Sequence, residues 1–256
     1  MIDSHCHLAD KKFRNDLPDV LRSAEDNGVD RFVAIADTLE EGKECLVMAE
    51  KYDQIFCTMG VHPHAADKWK VESGKRIITE AAQHPKMVAV GEVGLDYHYM
   101  NSPKKDQIRA FRDQIEIAKE LDFPLVVHNR DSIDDLLEIL RDLQPPKMVL
   151  HCCTEKWEDV SALIDRGYLL GFTGIATYAK SEAIRETIKN CPLEQMMVET
   201  DAPYLAPEGY RGKRCEPAYV VEVAKLIAQI KGISLEEVDR ITTSNTEEFY
   251  GLSIAK

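Results

Sequence analysis

The run Met87-Val88-Ala89-Val90, which Gly91 and Glu92 follow directly, is the clearest indication of the fold in this chain. Consecutive apolar residues predict a strand that is buried on both faces, as the strands of parallel sheets are. Similar short apolar segments recur along the chain, at Ile2, 32–35, 55–59, 125–127, 148–150, 168–170 and 196–198. The sequence therefore predicts eight strands of a parallel sheet.

Longer segments with apolar residues at helical spacing separate these strands and follow the last one. The predicted helices cover 16–28, 40–52, 71–83, 103–122, 131–143, 155–166, 180–190, 216–231 and 234–249. Gly28, Gly167 and Gly232 stand where glycines commonly end helices. The segment 199–215 has no such spacing and is predicted to be a long loop, which in a compact domain is usually functional.

Strands that alternate with helices over 256 residues predict an α/β protein with a (β/α)8 TIM barrel, a fold of about 250 residues. The alternative is a doubly wound open sheet. That fold would need a glycine-rich phosphate loop after its first strand, and the sequence has none there. Because no repeat, low-complexity stretch or linker interrupts the pattern, we expect a single domain over 1–256.

The composition is that of a globular protein, with 44% hydrophobic and 30% charged residues. No apolar run approaches the roughly 18 residues that cross a bilayer, and no secretory signal peptide is apparent, so we expect no membrane association. Seven cysteines, of which Cys152 and Cys153 are adjacent, favour a reducing compartment and predict a cytoplasmic location. A net charge of −13 disfavours general binding to duplex DNA, so any phosphate substrate requires local positive charge.

Histidines and carboxylates that can bind metal ions lie within a few residues of the predicted strand ends. They are His5, His7, His62, His64, Glu92, His128, His151, Glu199 and Asp201. Because the C-terminal ends of barrel strands carry the active site, we expect these side chains at the mouth of the barrel. Alternation along a strand places His5 and His7 on one face, where both can bind one ion.

The candidate ligands are imidazoles and carboxylates, which suit Zn²⁺, Mg²⁺ or Mn²⁺ in a hydrolytic site. The six metal ligands that we predict are His5, His7, Glu92, His128, His151 and Asp201. Six groups exceed the needs of one tetrahedral ion. We therefore expect two divalent cations, about 3.5–4 Å apart in sites of this kind, with Glu92 as the bridging carboxylate.

Several ordered motifs extend over nearly the whole chain. They are Asp3-Ser4-His5-Cys6-His7-Leu8, Gly60-Val61-His62-Pro63-His64, Gly91-Glu92-Val93-Gly94-Leu95-Asp96-Tyr97, His128-Asn129-Arg130, His151-Cys152, Glu199-Thr200-Asp201-Ala202-Pro203-Tyr204-Leu205, Arg211-Gly212-Lys213-Arg214 and Thr242-Thr243-Ser244-Asn245. With these motifs the sequence resembles the TatD-type metal-dependent hydrolases of the amidohydrolase-like superfamily. The resemblance implies a barrel of the metallo-dependent hydrolase type and deoxyribonuclease activity on DNA ends, with the character of a 3'-5' exonuclease.

The resemblance also implies two ligand sets. One ion would be held by His5, His7, Glu92 and Asp201, and the other by Glu92, His128 and His151. The chain departs from many relatives at Cys215, where they have Asn, and at Cys153, where they carry an aromatic residue. Neither position is a predicted ligand, so these departures concern the substrate range rather than metal binding.

Catalytic roles are expected for Asp201, which can accept a proton from the attacking water, and for Glu92. The residues predicted to contact substrate are His62, His64, Tyr97, Arg130, Lys213 and Arg214. Arg130 can pair with a phosphate through two hydrogen bonds, and Tyr97 can stack on a base. For each of these residues, packing or a solvated loop is the structural alternative.

The function predicted is hydrolysis of DNA phosphodiesters at a dinuclear metal site, with DNA ends or single-stranded DNA as the partner. A metal-dependent amidohydrolase or a small phosphoesterase remains an alternative, because the ligands alone do not define the bond that is cleaved. A non-enzymatic binding protein on the same barrel is disfavoured, since all six predicted ligands are present. The sequence indicates no obligate protein partner.

Overall fold

The computed structural model describes residues 1–252, and each predicted strand is present in it. The strands are β1 Ile2–Cys6, β2 Arg31–Ala34, β3 Ile55–Met59, β4 Met87–Asp96, β5 Leu125–Arg130, β6 Met148–Leu150, β7 Leu169–Phe172 and β8 Met196–Val198. Their order in the sheet follows the chain from β1 to β8, and the pairs β3–β4, β4–β5, β5–β6 and β7–β8 are parallel. The predicted (β/α)8 barrel is confirmed.

The nine predicted helices are also found among the described residues. They are α1 Leu17–Asp26, α2 Leu39–Lys51, α3 Val71–Ala81, α4 Lys104–Leu121, α5 Ile133–Leu143, α6 Trp157–Ile164, α7 Glu182–Asn190, α8 Val220–Lys231 and α9 Leu235–Tyr250. Gly232 ends α8 in the left-handed conformation, and the Ser234 side chain caps α9 by accepting the Glu237 N–H. Within residues 1–252, no helix is both long and apolar enough to cross a membrane.

The chain folds into two compact units. The first unit consists of residues 1–33 together with the described residues from 152 onward, and the second unit consists of residues 34–151. Phe13 and Phe172 are fully buried in the first unit, as Phe111 and Ile115 are in the second. The single domain over 1–256 stays a prediction, and its last four residues lie outside the described residues.

Strand β4 of the second unit is longer than its apolar run predicts, because it continues through the acidic residues to Asp96. Glu92 therefore lies within the strand rather than after it. Gly94 has φ +139°, and a side chain at this position would collide with the backbone carbonyl of His128 in β5. Its missing Cβ lets β4 and β5 approach closely, which brings Glu92 and Asp96 beside His128.

Candidate functional site

The first unit brings together His5, His7 and Asp201. The Asp201 N–H donates to the His5 carbonyl at 2.9 Å, and the His7 N–H donates to the Ala202 carbonyl at 2.7 Å. These bonds join β1 to the loop after β8. The Asp201 Oδ1 atom then lies 3.2 Å from His7 Nε2 and 3.6 Å from His5 Nε2. Three predicted ligands thus converge on one point.

Two further carboxylates lie close to this first-unit cluster. Asp3 is fully buried and accepts hydrogen bonds from the Thr200 N–H at 2.9 Å and the Thr200 hydroxyl at 2.6 Å. Burial raises the pKa of Asp3 to about 8, although the bonds from Thr200 lower it. Glu199 accepts the Cys152 N–H at 2.6 Å. Both carboxylates hold the chain in place beside Asp201. Asp3 was not predicted as a site residue, but it lies two residues before His5 on β1 and therefore shares a face of the strand with it.

The second unit brings together Glu92, His62 and His128. The buried Glu92 carboxylate has Oε1 at 2.9 Å from His128 Nδ1, 3.7 Å from His62 Nε2 and 3.9 Å from His151 Nε2. The Glu92 N–H donates to the Ala36 carbonyl at 3.1 Å, which holds the residue in place. His62, predicted to contact substrate, therefore lies with two predicted metal ligands.

Asp96 was missed as a functional candidate. It is fully buried, and its Oδ2 lies 3.0 Å from His64 Nε2 and 3.2 Å from His128 Nε2. Its Oδ1 accepts the N–H groups of His98 and Tyr99 at 3.0 and 2.8 Å. Since side chains two residues apart share a face of a strand, the alternation of Glu92, Gly94 and Asp96 indicated this position.

The charges of Asp96 and His128 depend on each other. Burial raises the pKa of Asp96, but hydrogen bonds from His128, the Tyr99 amide and His64 outweigh it and hold the pKa well below its usual range. Burial lowers the pKa of His128, yet the bonds to Asp96 and Glu92 raise it to about 9. Glu92 and Asp96 therefore both favour the protonated form of His128.

The predicted substrate residues of the second unit differ in accessibility. His64 is half-buried against Asp96, and Arg130 is exposed with its guanidinium 5.6 Å from the Tyr99 ring centroid. Tyr97 is half-buried, its hydroxyl donates to Asp135 at 2.6 Å, and Lys104 covers its ring at 4.6 Å. Their contact with substrate stays a prediction.

The two predicted substrate residues of the first unit, Lys213 and Arg214, differ in their contacts. Lys213 is exposed, with its ammonium 6.0 Å from the Tyr210 ring centroid. Arg214 instead donates to both oxygens of Asp16 at 2.9 and 2.7 Å and to Glu216 at 2.8 Å. Arg214 thus has a structural role that its sequence position did not indicate, and its contact with substrate stays a prediction.

The donors present fit divalent cations. Each cluster offers imidazole nitrogens and carboxylate oxygens whose ligand atoms lie within 4.8 Å of one another. Burial raises the pKa of the nearby Cys152 thiol well above its ordinary value, so this side chain stays a neutral thiol. Nitrogen and oxygen donors without thiolate are those of hydrolytic Zn²⁺, Mg²⁺ or Mn²⁺ sites.

The strand order and the histidine–carboxylate clusters define a metal-dependent hydrolase built on a (β/α)8 barrel. The sequence model of the family described as TatD related DNase matches residues 2–251. The chain therefore belongs to the TatD family, as the motifs predicted.

Individual relatives agree with this assignment over their full lengths. The uncharacterized metal-dependent hydrolase YabD of Bacillus subtilis is 35% identical and is matched over 99% of this chain and 100% of its own length. The 3'-5' ssDNA/RNA exonuclease TatD of Escherichia fergusonii is 34% identical, with the same coverage of 99% and 100%. The crystal structure of YJJV, a TatD homologue from Escherichia coli, superposes with a TM-score of 0.93 at 26% identity and covers 99% of this chain and 98% of that chain.

Proposed function

We propose that this protein is a metal-dependent nuclease that removes nucleotides from the ends of single-stranded DNA in the 3'-5' direction. The observation that carries the proposal is the convergence of imidazole and carboxylate donors in both units, on or next to the C-terminal ends of barrel strands. The name of the exonuclease relative at 34% identity supports the choice of substrate.

The ligand sets that we propose are those implied by the family resemblance. His5, His7 and Asp201 serve one ion, His128 and His151 serve the other, and Glu92 bridges the two. The distances within each unit support these sets, since Asp201 lies beside both histidines of β1 and Glu92 lies beside His128 and His151. When bound, such ions polarise phosphoryl oxygens and lower the pKa of water.

The chain's own residues then position the substrate and move protons. Asp201 receives a proton from the attacking water at its Oδ1 oxygen, because this carboxylate is partly accessible and is held by the His5 carbonyl through its own backbone. Arg130 pairs with a phosphate of the strand, since its guanidinium is exposed and planar. Asp96 keeps His128 in one orientation by accepting from its Nε2.

A single strand or a free end is the substrate that the charge distribution favours. The net charge of −13 opposes general contact with a duplex, while Lys213 supplies exposed positive charge in the loop after β8. Arg214 can add to this charge only if it leaves its carboxylate partners. We also propose a cytoplasmic location, and the support for it is the cysteine content.

The direct test is a substrate panel on purified protein, with single-stranded DNA, duplex DNA, RNA and simple amides. We expect divalent-metal-dependent release of mononucleotides from the 3' end of single-stranded DNA. Chelation should abolish it, and remetallation should restore it. Asp201→Asn should remove turnover while the protein stays folded. Hydrolysis of amides without any hydrolysis of nucleic acid would refute the nuclease and support the amidohydrolase alternative.

A further inference from the structure

The large apolar side chains that stay exposed are concentrated in loops after strands. Among residues 1–252, these side chains are Val47, Val71, Tyr99, Met100 and Tyr204. Val47 and Val71 lie on helices, whereas Tyr99 and Met100 follow β4 and Tyr204 follows β8. Tyr99 is the most exposed aromatic residue of the group, at 57%. Loops that follow the C-terminal ends of barrel strands bind substrates. Tyr99 lies in such a loop, and its exposed ring is therefore a candidate for contact with a ligand.

The Tyr99 ring is held in a fixed place although it is exposed. Its backbone N–H donates to Asp96 Oδ1 at 2.8 Å. The ring stands nearly perpendicular to the imidazoles of His64 and His98, with centroids 5.5 and 4.8 Å away. An aromatic ring that is ordered before binding loses little conformational entropy when a second ring stacks on it.

A cation lies over this ring. The exposed guanidinium of Arg130 lies 5.6 Å from the Tyr99 ring centroid. A planar guanidinium can hold a phosphate through two parallel hydrogen bonds, and an aromatic ring can stack on any base. The pair therefore offers both of the contacts that one nucleotide needs.

We propose that Tyr99 and Arg130 form a subsite for one unpaired nucleotide of the substrate strand. Tyr99 stacks on the base, and Arg130 binds the adjoining phosphate. This inference rests on the proposed nuclease function and deepens it. A base inside a duplex has both faces covered by its neighbours, so the subsite accepts single strands and frayed ends.

Asp96 fixes this subsite relative to the donor cluster of the second unit. One of its oxygens accepts the Tyr99 N–H, and the other lies 3.2 Å from His128 Nε2. The nucleotide held by Tyr99 is thus placed at a set distance from Glu92 and His128. Tyr97, two residues earlier, is less suited to stacking, because it is half-buried and its hydroxyl is bonded to Asp135.

The test compares the binding of two strands by the metal-loaded protein. One is a single-stranded phosphorothioate oligonucleotide, which keeps its bases and charges but resists hydrolysis, and the other is the same backbone without bases. We expect Tyr99→Ala to weaken binding of the first strand by about 5- to 150-fold, the usual range for one stacked base. It should leave binding of the base-free strand unchanged. Tyr99→Phe should bind both strands as the parent does.

Tyr52→Ala is the matched control. Tyr52 is a half-buried tyrosine of the same unit that also lies under a cation, Lys51 at 5.0 Å, but it precedes β3 instead of following a strand. We expect it to bind both strands like the parent. Equal losses for Tyr99→Ala on both strands, no loss on either, or a parent that binds neither strand would overturn the subsite.

The same experiment separates this inference from the proposed function. If the base-dependent loss is seen but the parent does not hydrolyse ordinary oligonucleotides, the subsite stands and the nuclease fails. If the parent hydrolyses DNA and Tyr99→Ala binds like the parent, the nuclease stands and the subsite fails. Unfolding temperatures measured in parallel check that Tyr99→Ala, a change at an exposed position, leaves the fold intact.

Discussion

The donor clusters of the two units are assembled by different interactions. In the first unit, backbone hydrogen bonds join His5 and His7 to the loop that carries Asp201. In the second unit, side chains hold one another, and His128 lies between Glu92 at 2.9 Å and Asp96 at 3.2 Å. The first arrangement depends on the path of the chain, and the second depends on buried charges.

This difference indicates where substitutions are most harmful. A side chain held by backbone bonds keeps its place when a neighbouring side chain is shortened. A buried charge that loses its partner is strongly destabilised, because the remaining group has no solvent to stabilise it. We therefore expect the second unit to be the more sensitive of the two, and the following predictions test that expectation in order of decreasing effect.

Glu92→Ala should give the largest loss of activity. Glu92 is buried against three histidines, and as a bridging ligand it would serve both ions. We expect a loss larger than the roughly 100-fold upper range seen for partners outside the ligand set. Turnover of single-stranded DNA and metal content per chain are the measurements. Normal occupancy by two ions in this variant would refute the bridging role.

Asp96→Asn should lower metal affinity and activity by about 10- to 100-fold, as loss of a ligand-orienting partner does. The amide keeps the shape of Asp96 but has no negative charge with which to stabilise protonated His128. Metal titration followed by turnover of a small phosphodiester measures the effect. Asp131→Asn is the control, because Asp131 pairs with His98 at the surface. If both variants lost the same activity, the special role of Asp96 would be wrong.

Gly94→Ala should destabilise the protein by about 3 kcal/mol, since it adds overpacking against the His128 carbonyl to a positive φ. For a protein of this size, that corresponds to a fall of roughly 6–12 °C in the unfolding temperature. Gly209→Ala is the control, because nothing lies within 4 Å of the added carbon there. Calorimetry that shows equal unfolding temperatures for the two variants would contradict the close approach of β4 and β5.

Lys213→Ala should have the smallest effect, a flatter salt dependence of binding to single-stranded DNA. One lost phosphate contact lowers the slope by about 0.7. Cleavage of a small activated phosphodiester should stay unchanged, because that substrate is too short to reach Lys213. An unaltered slope would mean that Lys213 is a solvated surface residue without a phosphate contact.

Adding Arg214→Ala to Lys213→Ala tests the second predicted substrate residue of this loop. Arg214 is bonded to Asp16 and Glu216, so its loss should lower the unfolding temperature and leave the slope of the single variant unchanged. A further fall in the slope would support the substrate contact predicted for Arg214.

The elements of this fold were predictable because each leaves a periodic trace in the sequence. The apolar run at 87–90 predicted β4, and Gly232 predicted the end of α8. The extent of β4 was not predictable from periodicity. Its second half, from Gly91 to Asp96, contains glycines and acidic residues, which are uncommon in buried strands. These residues belong to the strand because they pair with β5.

The identities of the metal-capable residues and the family were determined by the sequence alone, because residue type and order along the chain carry that information. Which side chains meet was decided by the tertiary structure. Asp96 faces His128, Arg214 is bonded to Asp16, and Tyr99 is exposed while Tyr97 is not. Such contacts join residues far apart in the chain, or depend on how a loop turns, so they follow from strand register and loop path rather than from local residue preference.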